Sequence, residues 1–410
     1  MRSLKSAFVG FCLFSGIGLQ ASDWAQWRGP TRDGMVPVGA LPPSIAEATL
    51  KKQWRVPLGS SYSGPIISGD RVFVTESSNK THEVAFALDR ASGKILWRAE
   101  WEGFLKVPFF AKANGDWIRS TPATDGERLY VGGMRDTLVC LDVKTGRQIW
   151  KKDFVKEMNA PVPDFGFVCS PLIIGDAVYV QAAASFVKLD KATGAVIWRS
   201  LKDEGGMMGS AFSSPVIGVV GGREQLLVQG RAKLAGVSPA DGKVLWEQAI
   251  EAFRGMNILT PTVWKDAIFT SAYGGKTQLL AVQGSTDNPK AATAWSLKLE
   301  GYMSSPLLIG DHAYLHLRNQ KFACVDLSTG KLAWETDRKF GKYWSMISNG
   351  KEILALDEDG TLLRIEADPK AFKLIEKRKV SDGESWAHLG VSDKQLFVRD
   401  LTGLSVFSWN

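Results

Sequence analysis

The sequence has few cysteines and histidines and no long apolar run beyond its first residues. Its 410 residues include four cysteines and four histidines. A chain of this length can bury a large core without disulfides. Cys140 and Cys324 each precede an apolar–Asp pair, in a slot that small residues fill elsewhere in the chain. We therefore expect Cys140, Cys169 and Cys324 to be buried free thiols rather than disulfide partners or ligands. No segment after residue 21 is apolar for long enough to cross a bilayer.

The amino-terminal stretch MRSLKSAFVGFCLFSGIGLQA has two early cations, an apolar run that ends at Leu19, and Ala21 as a cleavage point. This pattern predicts that residues 1–21 are a secretory signal peptide. Cys12 lies inside the apolar run and follows Phe11, where a lipidation signal requires a small residue. We therefore expect an exported protein without a lipid anchor.

The excess of positive charge is small. The chain has 50 Lys and Arg against 43 Asp and Glu, and the signal peptide holds two of the cations. No segment gathers the charge into a basic stripe, so nucleic-acid binding is not expected. The 15 tryptophans, 41 glycines and 45% hydrophobic residues indicate an ordered all-β chain.

A closing phrase recurs about every 40 to 50 residues, which is the period of solenoids and propellers. LDRASGKILW at 88–97 is repeated as LDVKTGRQIW, LDKATGAVIW, VSPADGKVLW and VDLSTGKLAW. Two more diverged copies end at Trp295 and Ile375. In such a phrase the Asp accepts backbone hydrogen bonds and the Gly supplies a positive φ, so a hairpin closes before a Trp-bearing strand. We predict that the structural residues of the repeat are Asp89, Gly93, Trp97, Asp142, Gly146, Trp150, Asp190, Gly194, Trp198, Gly242, Trp246, Trp295, Asp326, Gly330 and Trp334.

An opening phrase precedes each closing phrase. SGPIISGDRVFV at 63–74 and SSPLLIGDHAYL at 304–315 are clear copies of a strand, a tight turn and a second strand. Eight opening phrases are followed by only seven closing ones, and the spare Trp-bearing segment KKQWRVPL stands at 51–58. Pairing this segment with the last unit closes a ring and removes exposed sheet edges. We predict an all-β fold, an eight-bladed β-propeller of four-stranded antiparallel blades over residues 51–410, with residues 22–50 as an extension lying on it.

Two stretches carry a family resemblance. ALDRASGKILW at 87–97 and DWAQWRGPTRDG at 23–34 resemble the pyrroloquinoline-quinone-like, quinoprotein-type propeller repeat family. They are most similar to its exported bacterial branch, which is related to the propeller lipoprotein of the outer-membrane β-barrel assembly machine. The resemblance implies a periplasmic protein of the bacterial cell envelope. It leaves two functions open, a non-catalytic scaffold and a quinone-dependent dehydrogenase of alcohols or sugars.

The dehydrogenase hypothesis requires parts that this sequence lacks. In the family's enzymes, pyrroloquinoline quinone lies under a disulfide of adjacent cysteines, and calcium or a lanthanide is held by Glu, Asn and Asp. This sequence has no adjacent cysteines and no CxxCH haem motif. LDEDG at 356–360 falls where a turn is due, and His312 and His316 stand too far apart along a strand to share a metal. We therefore predict no metal site and no catalytic residue, and quinone with calcium only under the dehydrogenase alternative.

The scaffold hypothesis places a binding surface at the mouth of the central channel. Residues just ahead of each opening phrase lie near that mouth, and many are aromatic. The linkers 102–117 and 155–167 are long and rich in Phe, Pro and Lys, and such loops often bind partners. Aromatic rings and arginine dominate interface hot spots. The alternative is that the same rings only fill and pack the central channel. We expect a monomer, or a subunit of an envelope complex, that binds an envelope protein or an extended peptide through Tyr62, Phe109, Phe110, Trp117, Arg119, Phe165, Phe167, Phe212, Asn257, Tyr302, Trp344 and Trp386.

Overall fold

The computed structural model describes residues 23–205, 211–285 and 288–410. The predicted signal peptide and Cys12 lie outside these ranges. Within them the chain forms eight four-stranded sheets, one short helix α1 (Phe154–Met158), and two 3₁₀ turns at Phe109–Asn114 and Phe253–Gly255. None of the helices in the described ranges is long and apolar enough to cross a membrane.

The strands follow the repeat pattern of the sequence. The first four blades contain β2 (Ile66–Ser68), β3 (Arg71–Ser78), β4 (His82–Asp89), β5 (Ile95–Glu102), β6 (Ala123–Thr124), β7 (Arg128–Gly133), β8 (Thr137–Asp142), β9 (Gln148–Asp153), β10 (Leu172–Ile174), β11 (Ala177–Ala182), β12 (Ser185–Asp190), β13 (Val196–Ser200), β14 (Val216–Val220), β15 (Arg223–Gln229), β16 (Lys233–Val237) and β17 (Val244–Ala249). The last four contain β18 (Thr262–Trp264), β19 (Ala267–Ser271), β20 (Thr277–Ser285), β21 (Asn288–Leu297), β22 (Leu307–Ile309), β23 (His312–His316), β24 (Phe322–Asp326), β25 (Leu332–Glu335), β26 (Trp344–Ser348), β27 (Glu352–Asp357), β28 (Thr361–Glu366), β29 (Lys373–Lys379), β30 (Gly390–Ser392), β31 (Gln395–Asp400), β32 (Gly403–Ser408) and, from the start of the chain, β1 (Lys51–Pro57).

The ring closes where the two ends of the propeller meet. Strand β1 pairs antiparallel with β32, so that the eighth blade has the order β1-β32-β31-β30. Trp54 stands opposite Val406 in this pairing. The guanidinium of Arg55 also holds the Asp400 carboxylate through two hydrogen bonds of 2.7 and 3.0 Å. The predicted eight-bladed propeller and its closing strand are confirmed.

The closing phrase joins neighbouring blades as well as closing a hairpin. Gly93 and Gly146 have φ of 74° and 72°, as the turn requires. Each glycine also gives room to a tryptophan of the preceding blade, because a Cβ built on Gly146 would lie 2.7 Å from the Trp97 indole. The Trp97 Nε1 donates a 2.8 Å hydrogen bond to the carbonyl of Val143, inside the same turn. The repeat therefore locks blade to blade.

Where the closing phrase has diverged from the repeat, the contact between neighbouring blades changes. The fifth blade lacks the Asp–Gly turn. Trp246, on the last strand of the fourth blade, therefore does not donate to that turn, and its indole donates instead to Gln225 of the fourth blade at 2.6 Å. The seventh blade has lost its glycine, yet Trp334 still donates to the carbonyl of Asp368 at 3.0 Å. Phe372 packs against Trp334 there, with ring centres 6.0 Å apart.

The segment from Asp23 to Leu50 contacts several blades. Trp24 bridges to Ile67 of the first blade, and the Val36 amide donates to the carbonyl of Ser348 in the seventh. Arg28 and Arg32 are buried, and their guanidinium groups donate to carbonyls of the sixth and third blades, those of Pro306, Ser170 and Pro171.

The three cysteines in the described ranges are free and buried, as the sequence predicts. Burial raises the pKa of the Cys140, Cys169 and Cys324 thiols to about 12, so all three stay protonated at neutral pH. They act as small core residues, and Cys140 and Cys324 stand opposite Trp150 and Trp334 on neighbouring strands.

Candidate binding site at the channel mouth

The central channel contains a cavity of about 170 Å³. Its wall includes a layer of hydroxyl groups from the opening phrases, where Ser or Thr stands before the proline. These hydroxyls tie neighbouring blades together, because the Ser170 amide donates to Ser214 Oγ at 2.9 Å and the Ser214 amide donates to Thr260 Oγ1 at 3.1 Å. Trp27, from the amino-terminal segment, also lines the cavity and packs edge-on against His388.

Aromatic rings surround the mouth in three linked groups. Tyr62 stacks on Trp386 with ring centres 4.9 Å apart and packs edge-on against Trp117 at 5.2 Å. The second group consists of Phe109, Phe110, Phe165 and Phe212, and the third consists of Phe253, Tyr273 and Tyr302. The third group, and the second group apart from Phe109, line an adjoining groove of about 220 Å³. The mouth is therefore a broad aromatic surface on a rigid ring of strands.

The long loop after the first blade is held in place by specific contacts. The Val107 amide donates to the Asp116 carboxylate at 2.7 Å, which closes the loop on itself. Val107 and Ala111 are buried against Met134 of the second blade. These contacts leave Phe109 89% exposed and Phe110 49% exposed at the rim. Large exposed rings on an ordered loop are a feature of binding surfaces.

Arg119 is the one cation on the channel wall among the described residues. Its Nη2 donates to the carbonyls of Asn114 and Gly115, and its guanidinium carbon lies 5.7 Å from the centre of the Tyr62 ring. Burial lowers the pKa of Arg119 to about 10, so it remains positively charged at neutral pH. It forms no salt bridge with any acid in the described ranges.

The other ionisable groups of the wall are neutral at pH 7. Burial lowers the pKa of His388 to about 3, and its Nε2 lies 3.0 Å from the hydroxyl of Tyr343. Burial also raises the pKa of the Tyr62 and Tyr343 hydroxyls well above the usual range. The Tyr62 hydroxyl donates to Glu384 at 3.2 Å. The channel wall therefore combines aromatic rings with neutral hydroxyl groups, and it carries one positive charge, that of Arg119.

Three of the residues predicted at the mouth lie elsewhere. Trp344 is fully buried between the sixth and seventh blades, 5.1 Å from the His316 ring and 4.4 Å from Phe340. Phe167 is 2% exposed and packs between the second and third blades. The Asn257 amide group is buried and donates to the carbonyl of Arg231 at 2.8 Å.

The physical reason is the alternation of an extended chain, in which neighbouring side chains point to opposite faces. Each misplaced residue has a neighbour on the channel wall: Tyr343 beside Trp344, Val168 beside Phe167, and Met256 beside Asn257. The expectation was therefore wrong by one residue at these positions. The remaining predicted residues line the mouth or touch a ring that does: Tyr62, Phe109, Phe110, Trp117, Arg119, Phe165, Phe212, Tyr302 and Trp386.

Several wall residues were not predicted. The hydroxyl layer was visible in the sequence as Ser-Pro and Thr-Pro pairs in successive opening phrases. Trp27 lies in the stretch DWAQWRGPTRDG at 23–34, and the sequence gives no sign that a residue of this segment reaches the channel. Phe253 and Tyr273 come from blade-to-blade and hairpin turns that match no repeated phrase.

A larger cavity of about 340 Å³ lies among hairpin turns of the second, third and fourth blades. The Asp136 carboxylate on its wall accepts a 2.7 Å hydrogen bond from the Ala183 amide, and burial raises its pKa to about 7. In the part of the chain that the structure describes, no three His, Cys, Asp or Glu side chains are grouped as a metal ion would need. LDEDG, at 356–360, forms the turn between β27 and β28, as predicted.

The fold is similar to those of solved propellers. The structure of BamB from Moraxella catarrhalis superposes with a TM-score of 0.63 at 17% identity, over 88% of this chain and 98% of that one. A europium-containing methanol dehydrogenase superposes with a TM-score of 0.54 at 11% identity, over 94% of this chain and 91% of that one. At these identities the likeness concerns the fold alone.

The sequence is similar both to outer membrane protein assembly factors and to quinone-type alcohol dehydrogenases. An outer membrane protein assembly factor BamB of Yersinia pestis is 21% identical over 96% of each chain. The BamB of Moranella endobia is 21% identical over 60% of this chain and 64% of its own length. A quinohemoprotein alcohol dehydrogenase ADH IIB of Pseudomonas putida is 30% identical over only 28% of this chain. The family model described as "Outer membrane protein assembly factor BamB" matches residues 80–336, more than half of the sequence, so this chain belongs to that family.

Proposed function

We propose that this protein is an exported, non-catalytic propeller of the bacterial cell envelope that serves as a protein-interaction scaffold. Its partner is an envelope protein or an extended peptide, which binds at the channel mouth and the two long loops. The observation that carries the proposal is the convergence of three aromatic groups and Arg119 on one mouth. The few residues that dominate the binding energy of protein interfaces are enriched in Trp, Tyr and Arg.

The exposed rim supports the same proposal. The Phe109 ring is 89% exposed, and it adjoins Phe110 with ring centres 5.6 Å apart. Burying an exposed phenylalanine stabilises a complex by about 1.5–3 kcal/mol. Membership of the outer membrane protein assembly factor BamB family is consistent with a partner in the envelope.

The dehydrogenase alternative has weaker support. Some relatives are quinone enzymes, but the alcohol dehydrogenase match covers 16% of that protein. Calcium in such a site needs several carboxylate or amide oxygens. Among the described residues of the channel wall there is no Asp or Glu, and Asn114 is the one side-chain amide. These residues do not fit a calcium–quinone site.

Site-specific photocrosslinking in cells tests the scaffold proposal. A photoreactive residue at Phe110 should capture a defined envelope protein, and Phe109→Ser should reduce that capture. Ile197, which is 51% exposed on the outer strand β13, provides the matched control position. Equal capture from positions 110 and 197 would contradict a specific mouth.

A second assay separates the two functions. The purified chain is mixed with pyrroloquinoline quinone and Ca²⁺, and dye reduction by alcohols and aldoses is followed. The scaffold proposal expects neither cofactor retention nor turnover. Turnover that depends on the quinone would contradict the scaffold proposal and support the dehydrogenase alternative.

A further inference from the structure

We infer that the cavity of about 340 Å³ among the second, third and fourth blades binds a small organic cation through its primary ammonium group, and that Asp136 holds this group. This cavity shares no described lining residue with the channel cavity or with the groove that adjoins it. The inference therefore concerns a second site and is independent of the proposed function at the channel mouth. It follows from an open carboxylate oxygen, from the pairing of the other charges, and from an unusual turn in the wall.

The cavity has the size and the lining of a small-molecule site. Such sites are usually clefts of about 300–1,000 Å³ with mostly apolar walls and a few polar groups. Here the walls come from the long loop 155–167, from the turns between the second and third strands of three blades, and from the linker after β13. The apolar lining residues are Pro163, Phe167, Ala182, Ala183, Ala184 and Leu201. Such a lining suits a short alkyl chain.

One carboxylate in the wall has an oxygen without a donor. Asp136 is 3% exposed, and its Oδ2 accepts a hydrogen bond from the Ala183 amide at 2.7 Å. Its Oδ1 accepts no hydrogen bond from any described residue. Gln181 on the same wall donates through Nε2 to the carbonyls of Ser213 and Gln229, while its Oε1 accepts none from the described part of the chain. Because an acceptor in a buried wall needs a donor, this wall favours a ligand that donates hydrogen bonds.

The charges of the wall favour a cation as that donor. The second acid of the lining, Asp203, forms a salt bridge with Arg231 at 3.1 Å. Lys233, the remaining cation, pairs with Glu247 at 2.6 Å. Asp136 is therefore the one charged side chain of the described lining that has no ionic partner. An anion would be repelled by its carboxylate, whereas an ammonium would supply both the missing charge and the missing N–H groups.

The ionisation of Asp136 is coupled to such a ligand. Burial raises the pKa of Asp136 to about 7, so that the carboxyl group is only partly ionised at neutral pH. Of the charged neighbours that face it, Asp153 on β9 raises this pKa further and Arg199 on β13 lowers it. An ammonium beside the carboxylate would favour the ionised form. Binding below pH 7 should therefore release a proton.

The turn that contacts Asp136 is built from unfavourable residues. Ala183 and Ala184 form the two-residue turn between β11 and β12, and their φ angles are 53° and 48°. Asn, Asp and Gly usually fill such positions, because alanine is strained in the left-handed conformation. Strained backbone is concentrated at binding sites, where the surrounding fold holds it in place. In this turn the Ala183 amide fixes the Asp136 carboxylate, and both alanines line the cavity with small side chains.

Calorimetric titration of the purified full chain at pH 8 tests the inference. The probe is n-pentylamine, which is compared with 1-pentanol and pentanoate, two molecules of similar length that carry no charge and a negative charge. We expect pentylamine to bind about tenfold or more tightly than pentanol, because a charge-assisted hydrogen bond is lost in the alcohol. Pentanoate should not bind measurably, since it would meet the ionised Asp136.

Two variants locate the ammonium. Asp136→Asn removes the charge but keeps an oxygen for the Ala183 amide, and it should weaken pentylamine binding about tenfold or more. Glu83→Gln is the matched control, because Glu83 is also buried with a pKa raised to about 7. Both Glu83 oxygens are already engaged, by the Met134 amide at 2.6 Å and the Trp101 Nε1 at 2.8 Å. This variant should leave the affinity within about threefold.

The pH dependence is a readout that a purely structural role for Asp136 would not produce. An aliphatic ammonium group has a pKa of about 10.4 and stays charged in this range. The affinity of the unchanged protein for pentylamine should therefore rise about tenfold from pH 6 to pH 8, as Asp136 ionises. Asp136→Asn should show no such rise. Thermal unfolding of each variant shows whether it is folded, and the comparison of the three probes on the unchanged protein stands without any variant.

A blocked pentapeptide with a central lysine distinguishes a free amine from a lysine of another polypeptide. Tighter binding of this peptide than of pentylamine would overturn the inference in favour of a protein ligand. Equal binding of pentylamine and pentanol, or no binding of pentylamine, would also overturn it. A loss for Glu83→Gln as large as that for Asp136→Asn would contradict the role of Asp136. Partner capture from position 110 is a separate measurement and decides the scaffold proposal whichever result is obtained.

Discussion

The Trp97 indole contacts Gly146 of the next blade so closely that a Cβ on Gly146 would lie 2.7 Å from it. The same contact joins Trp54 to Gly93, Trp150 to Gly194, Trp198 to Gly242, and Trp295 to Gly330. The glycine thus has two roles, a positive φ in the turn and an open face for the ring. These junctions fix the angle between blades, and so they fix where the mouth residues converge.

The two roles of the glycine can be separated by comparing the stability of Gly146→Ala with that of Gly310→Ala. Gly310 also has a positive φ, 58°, but no atom lies within 4 Å of a Cβ built on it. We expect Gly310→Ala to cost about 1–2 kcal/mol of unfolding free energy from the backbone alone. Gly146→Ala should cost a further 1–3 kcal/mol or so from overpacking against the indole. Equal losses in urea unfolding would contradict the docking role.

The indole hydrogen bond can be tested with two tryptophans. Trp97 donates to the Val143 carbonyl, whereas the buried Nε1 of Trp198 has no hydrogen-bond partner among the described residues. Changing either residue to phenylalanine removes the N–H and some ring volume. We expect Trp97→Phe to lose about 1 kcal/mol more than Trp198→Phe, because only the first change removes a hydrogen bond. Denaturant midpoints at constant m-value measure the difference, and a larger loss for Trp198→Phe would refute this assignment.

The ion pair that closes the ring predicts a pH dependence. Burial alone would raise the pKa of Asp400, but hydrogen bonds from Arg55, Ser381 and Thr402 outweigh it and hold the pKa well below its usual range. The stability that Asp400 contributes is therefore fully present above the unfolded-state pKa of about 3.9 and is lost as the pH falls below it.

Asp400→Asn should lower the unfolding free energy by about 2 kcal/mol at pH 7, since it removes a buried charge-assisted pair. The gap between the variant and the unchanged protein should narrow as the pH falls from 5 to 3. Asp393→Asn is the control, because Asp393 also pairs with an arginine but its side chain is 56% exposed. A gap for Asp400→Asn that does not change with pH would show that the carboxylate charge is not the source of stability.

The architecture could be predicted from the sequence because the repeat is local. Asp89, Gly93 and Trp97 stand within ten residues, and each supplies a turn or a ring whose role depends on near neighbours. The count of opening and closing phrases predicted the pairing of β1 with β32, although 350 or so residues separate them. The contact of Trp97 with Gly146 was not predicted. It is made between the closing phrases of two neighbouring blades, and no pattern within one phrase indicates it.

The mouth could be predicted only to within one residue. Tyr62, Phe165 and Trp386 were placed there from their position ahead of an opening phrase. Trp344 was misplaced because it begins β26 and carries its ring between blades, one residue after Tyr343, which lines the channel. Side-chain direction alternates along such segments, and a shift of one residue reverses it. The contribution of Trp27 depends on how the amino-terminal segment crosses the ring, which no local pattern encodes.

The most direct test of the account is hydrogen–deuterium exchange of the chain with the partner captured from position 110. The account predicts slower exchange on binding in residues 102–117 and 155–167 and in the turns around Phe253 and Tyr302. Residues 95–101 of strand β5 and all of strand β13, at the outer edges of their blades, should exchange at unchanged rates. Protection of those outer strands with an unchanged mouth would contradict the assignment of the binding site to the channel.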